Sequence, residues 1–126
     1  MATVTPSYSA EATLTIGLAT TPLASSSTFV GGRESTEVDN STNKYDDALL
    51  SGQITVGTTP TANTQILVYA FSRISADAPT YPDVMDGTDS DETLTSFGVG
   101  QGFLKLLAVI AVDSATSNRA YPFGPV

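Results

Sequence analysis

The two most apolar stretches of the chain, QILVYAFSR (65–73) and FLKLLAVIAV (103–112), limit what it can fold into. Both are short, and neither shows a 3.6-residue stripe. A run of this length that is apolar on both faces is what a fully covered strand requires. FLKLLAVIAV is also too short to cross a bilayer, and it contains Lys105. Around these runs the sequence alternates with period two. Leu14, Ile16 and Leu18 alternate with Thr and Gly, and Ile54 and Val56 do so in GQITVGT. Ser and Thr make up about a quarter of the chain. Thr is β-branched and suits a pleated, half-solvated surface, so the composition is poor for helices and good for strands.

Gly, Pro and Asn punctuate these segments. TPTANT (59–64) reads as a turn through Pro60 and Asn63, and a second turn is expected at Asn118. TLTSFGVG (93–100) reads as a weak strand containing Gly98 and Gly100. Residues 33–44 and 76–92 lack both periods and read as long loops, the second interrupted by Pro79 and Pro82. About seven short strands separated by turns predict an all-β fold, a single antiparallel β-sandwich or jelly roll spanning residues 11–126. Residues 1–10, with Pro6 and Tyr8 among small side chains, read as an extended N-terminal arm. The expected core is Leu14, Ile16, Ile54, Val56, Leu67, Tyr69, Leu107 and Val109. At 126 residues the chain has room for one domain.

The residue types that are missing narrow the chemistry. The chain has no His, Cys or Trp. It therefore lacks an imidazole base, a thiol nucleophile, a disulfide and a zinc thiolate site. The net charge is −8, with Arg33, Lys44, Arg73, Lys105 and Arg119 as the cations, which is no footprint for nucleic acid and is unsuited to an anionic membrane. The N-terminus MATVTPSYSA has neither the basic nor the apolar part of a secretion signal, so synthesis in the cytoplasm is expected.

Three segments carry candidate chemistry. DVMDGTDSDE (83–92) holds Asp83, Asp86, Asp89, Asp91 and Glu92, but its spacing departs from an EF-hand, and a solvated acidic loop is the plainer reading. Paired carboxylates of the glycosidase kind carry no weight among thirteen acids, and no enzyme, metal site or cofactor is expected. VGGR (30–33) lacks the Lys-Ser/Thr of a phosphate loop, so Gly31 and Gly32 read as a bend or bulge. Arg33 is either one member of a surface ion-pair group with Glu34 and Glu37, or a guanidinium held by neighbouring acids or by a partner's carboxylate.

A larger pattern spans these segments. Gly32–Ser35, Val38–Asn40, Leu50–Gly57, Pro60–Asn63, Ile66–Ala70 and Tyr121–Pro125 occur in an order that resembles the small capsid decoration, or cement, proteins of tailed bacteriophages. The resemblance covers most of residues 27–125 and rests on structural and turn residues. It implies a virion protein on the outer capsid surface, made in the host cytoplasm. It further implies that such a protein bridges and stabilises neighbouring copies of the major capsid protein, with itself as a second partner in a dimer or trimer. On this reading Tyr8, Arg33, Glu34, Glu37 and Asp39 are the expected partner contacts. Two alternatives stay open. One is a carbohydrate- or receptor-binding module of a phage fibre or tail, using Tyr45, Tyr69, Tyr81 or Tyr121 as platforms. The other is a small enzyme with converging carboxylates.

Overall fold

The computed structural model describes residues 13, 14, 16–18, 22–42, 47–77 and 80–126. Among the described residues, six strands and one short helix follow in the order β1 (Gly31–Arg33), β2 (Gly52–Thr55), β3 (Thr64–Ala70), β4 (Asp91–Thr93), α1 (Phe97–Gln101), β5 (Lys105–Val112) and β6 (Ala120–Phe123). Regular structure is nearly all strand, as the composition predicts. The strands pair as three two-stranded antiparallel sheets, β1 with β4, β2 with β6 and β3 with β5. The β2–β6 and β3–β5 pairs are nested in the chain, and the turns between β2 and β3 and between β5 and β6 lie side by side. Asn63 and Asn118 both adopt positive φ there, at 62° and 57°. Asn is among the few residues with a side chain that tolerates this region. Both expected turns are therefore present, tied down by Asn63 N–H donating to Val112 O at 2.8 Å and Asn118 N–H to Gly57 O at 3.0 Å.

The β2–β6 pairing is lengthened at both ends. Leu50 and Val126 exchange backbone bonds of 2.9 Å in each direction, and Val56 N–H donates to Arg119 O at 3.0 Å. The last residue of the chain is thus bonded beyond the end of β6. Ile110, Val112 and Tyr121 form the buried cluster, with Ile54, Val56, Ile66, Val68 and Phe123 packed against it. This cluster joins the β2–β6 and β3–β5 sheets. Tyr121 buries its ring while its hydroxyl donates to Asp113 at 3.0 Å, and the Arg119 guanidinium lies 5.1 Å above the same ring. Leu94, also buried, packs on Gly100, where an added Cβ would come within 2.6 Å of a Leu94 methyl.

Several expectations need correction. Ile54 and Val56 join the core as expected, but in β3 and β5 the buried phase is the other one. The core takes Ile66 and Val68 where Leu67 and Tyr69 were expected, and Ile110 and Val112 where Leu107 and Val109 were expected. Val109 is 51% exposed. Both strands are apolar at consecutive positions, so alternation alone cannot choose a face. A register shift adds to this. Val68 pairs with Ala108 and Tyr69 with Leu106, which leaves Leu107 as the extra residue of a bulge.

TLTSFGVG is not one strand. After β4, Ser96 caps α1 by accepting from Val99 N–H at 3.2 Å, a Ser N-cap that overrides the weak alternation of this segment. Among the described residues of 11–20 none lies in a strand, and Ile16 is 43% exposed, so it leaves the expected core. The arm at 1–10 and Tyr8 lie outside the described residues.

The phase assignment has a direct test. Ile110→Ala should cost about 2–4 kcal/mol of unfolding free energy, whereas Val109→Ala should cost less than about 1. Urea unfolding of the two variants measures the difference, and equal costs would place both faces of β5 in the same environment.

Candidate functional site

The expected contact residues of the 33–39 segment are built into a polar clasp between β1, β4 and the 80–90 loop. Arg33 is the last residue of β1 and pairs in register with Asp91 of β4. Its guanidinium donates from Nε to Asp89 Oδ1 at 2.9 Å, from one terminal nitrogen to Asp91 Oδ1 at 2.9 Å, and from the other to Asp89 O at 3.3 Å. Gly17 N–H donates to the same Asp89 Oδ1 at 2.9 Å, which brings the 16–18 segment onto the clasp. The Arg33 side chain is only 9% exposed. Of the two readings left open by the sequence, Arg33 takes the one in which neighbouring acids hold it in a fixed fork geometry. The hydrogen bonds to Asp89 and Asp91 hold its pKa above the ordinary value.

Glu34 is buried at 4% exposure and turns toward the same loop. Its two oxygens accept from Asp86 N–H at 3.1 Å and Gly87 N–H at 2.6 Å. Its own N–H donates to Ser90 O at 2.9 Å, and Glu37 N–H donates to Gly87 O at 3.1 Å. Gly87 sits at φ 80°, and a side chain there would run into the Tyr81 ring and hydroxyl. Glycine is therefore needed at this point for both the turn and the packing. The Tyr81 hydroxyl donates to Glu37, whose carboxylate also lies 3.9 Å from Arg73. That bond raises the Tyr81 pKa.

The acidic loop is ordered by its own carboxylates. Asp86 accepts from Thr88 N–H at 2.8 Å and Thr88 Oγ1 at 2.6 Å, and Asp83 accepts from Thr95 N–H at 2.9 Å and Thr95 Oγ1 at 2.6 Å. Ser90 Oγ donates to Glu92 at 2.7 Å. Carboxylate oxygens of Glu34, Asp86 and Glu92 lie within 4.8 Å of one another. The bonds just described already engage both oxygens of Glu34 and one oxygen each of Asp86 and Glu92. Asp89 and Asp91 of the same acidic segment are spanned by the Arg33 guanidinium.

Beyond the clasp the chain turns outward. Thr36, Glu37, Val38, Asp39 and Asn40 are exposed, Val38 by 65%. Asp39 accepts from Ser41 N–H at 2.7 Å, and this bond lowers its pKa. The five expected contacts therefore divide. Arg33 and Glu34 are committed within the chain, Glu37 and Asp39 are at the surface, and Tyr8 lies outside the described residues. Sequence reasoning treated 33–44 and 76–92 as separate loops and missed their union. The usable signal was charge, because five cations among thirteen acids must be shared. Two shallow depressions lie elsewhere on the described surface and beside β1, respectively. One of about 240 Å³ is lined by Tyr69, Phe97, Gln101, Leu104 and Leu106, and one of about 160 Å³ by Pro22, Leu23, Ala24, Gly31, Gly32 and Asp91. Compared with known proteins, the chain matches no family model, no curated protein and no solved structure.

Two opposed titrations follow from this geometry. Asp89 is held below the ordinary aspartate value by the Gly17 amide and then by Arg33, and Asp86 by its bonds to Thr88. A depressed carboxyl contributes stability above its unfolded pKa of about 3.8, and that stability is lost as pH falls through the folded value. Burial pushes Glu34 the other way, above its ordinary value of about 4.5. Its contribution is fully present below that value and is lost as pH rises through the raised one. Urea midpoints from neutral pH down to about pH 3 should therefore show a loss of stability that Asp89→Asn flattens and Glu34→Gln steepens. Parallel profiles in all three proteins would contradict the assignment. Glu34→Ala, which leaves two amides without their acceptor, should cost about 2–3 kcal/mol at neutral pH by the same measurement.

Proposed function

We propose that this chain is a capsid decoration protein of a tailed bacteriophage. On this reading it binds the outer surface of the shell and bridges and stabilises neighbouring major capsid protein subunits. Its fold in that setting is a small β-sandwich, with the β2–β6 and β3–β5 sheets as its two layers. The observation that carries the reading is the placement of the Gly32–Ser35 element on which the resemblance rests. Its Arg33 and Glu34 are fastened to the 86–91 segment, and the residues immediately after it, Thr36–Asn40, are exposed. A strip anchored at its base loses little conformational freedom on docking, which favours specific polar contact. Many copies on one shell multiply weak contacts into firm attachment.

In this role the partners are the major capsid protein and further copies of the chain itself, and the location is the virion exterior. The net charge of −8 disfavours nucleic acid and anionic membranes. Of the platforms of the carbohydrate-binding alternative, Tyr69 lines the 240 Å³ depression beside Phe97 and Leu104. Tyr121 is buried in the core and Tyr81 is bonded to Glu37, while Tyr45 lies outside the described residues. For an enzyme, the lining of the 240 Å³ depression supplies no ionisable pair.

Co-sedimentation with intact capsids tests the proposal. Wild type should bind in stoichiometric copy number. Removal of residues 1–10 should leave the melting temperature unchanged and reduce occupancy, and Glu37→Lys with Asp39→Lys should also reduce it. Arg33→Ala should reduce occupancy less than the arm deletion. Wild-type occupancy by the truncated protein would remove the arm from the contact, and no binding by wild type would refute the function.

A further inference from the structure

Outside the clasp, the sheet of β3 and β5 presents exposed apolar side chains at Leu106 and Val109. Ile66 and Val68 pack into the core, so Gln65, Leu67 and Tyr69 face away from it. They lie beside Leu106 and Val109, which are 48% and 51% exposed. A two-stranded sheet is marginal by itself, and this one has no third strand among the described residues.

Its two edges differ. β5 carries the devices that discourage pairing, a lysine at Lys105 and the bulge at Leu107. The outer edge of β3 carries none. TQILVYA is seven residues long, without charge, Gly, Pro or a bulge, and it bonds only to β5 among the described residues.

The sequence of β3 also identifies what fits that edge. Laid antiparallel on itself, it sets Leu67 against Leu67, Ile66 against Val68, Gln65 against Tyr69 and Thr64 against Ala70. Aliphatic side chains meet aliphatic ones, and core-facing positions meet core-facing positions. Charge favours the same occupant. A chain of net charge −8 is repelled by its own copy over most of its surface, yet β3 and β5 contain no acid at all. The paired strands themselves thus bring no carboxylates together.

We propose that two copies of this chain pair antiparallel along the outer edge of β3, which is unpaired among the described residues, across a twofold axis at Leu67, forming one four-stranded sheet in the order β5–β3–β3–β5. The contact is isologous, and three or more strands over an apolar face satisfy what the pair alone does not. The inference deepens the self-association part of the proposed function. Its test uses no capsid, so either can fail alone.

Sedimentation of the full chain over a concentration series should show a monomer–dimer equilibrium. Leu67→Lys, which opposes two ammonium groups at the axis, should raise the dimer dissociation constant about tenfold or more. Val109→Lys, on the same face but away from the edge, should leave it unchanged. Because the chain has no cysteine, single-cysteine variants read the register directly. Opposed residues in an antiparallel pair stand about 4.5–5.5 Å apart at Cα, within disulfide reach. Mild oxidation should give covalent dimers with Leu67→Cys and only background with Gln65→Cys or with Ser117→Cys at the exposed turn. A purely monomeric chain overturns the proposal, as does a Leu67→Cys variant that cross-links no better than Ser117→Cys. Cross-linking stronger at residue 65 overturns the axis at Leu67. Dissociation by Val109→Lys but not by Leu67→Lys makes the contact face-to-face and overturns edge pairing.

Discussion

Carboxylates accepting backbone N–H groups do in this protein what buried side chains do in one with a larger core. No described side chain falls below 2% exposure, and the central cluster has only three buried members. Long polar segments cannot be held by so small a cluster. They are held instead because Glu34, Asp39, Asp83, Asp86 and Asp89 each accept from at least one main-chain amide. Such charge-assisted bonds are roughly twice as strong as neutral ones, and they satisfy donors that an irregular backbone would otherwise leave unmade. Five of the thirteen acids therefore have a structural task.

Within that frame Arg33 and Glu34 are neighbours with different tasks. Successive residues of an extended chain project to opposite sides. Arg33 reaches along β4 to Asp91 and Asp89, and Glu34 reaches the Asp86 and Gly87 amides. Two consecutive side chains thus grip one loop at two points. Past the Gly32–Ser35 element the grip continues through Glu37, which bonds Gly87 and Tyr81, while Thr36–Asn40 is exposed.

How much of this was legible follows from which physical rule governs each part. Strand content was legible, because short alternating runs with Thr and the Asn63 and Asn118 turns have local causes. Ile54 and Val56 were placed correctly because Thr and Gly flank them and only one face can be buried. The phase of β3 and β5 was not legible. Both are apolar at adjacent positions, and a bulge at Leu107 changes the parity partway along. α1 was missed because Gly98 and Gly100 argue against helix, while the close approach of Leu94 that calls for Gly100 is a tertiary fact. The clasp was half legible. Arg33 was singled out by the scarcity of cations, but Asp89 and Asp91 are 56 and 58 residues away, and nothing local links them.

Charge and apolar surface are kept apart in this fold, and the separation bears on how a very acidic chain can assemble at all. Acids crowd the clasp and the 80–92 loop, whereas β3 and β5 carry a single charge, Lys105. Repulsion between like-charged surfaces decays within about 10 Å at moderate salt, so it penalises contacts made through the acidic end far more than contacts made through the sheet. In the arrangement proposed above, self-association through the uncharged edge of β3 and binding to a larger surface through the exposed strip after Glu34 would draw on different parts of the chain and need not compete. Such a division also makes salt a diagnostic of which contact is being formed. Added salt strengthens like-charged encounters at the acidic end, weakens attraction to a basic partner there, and leaves an uncharged strand edge nearly indifferent.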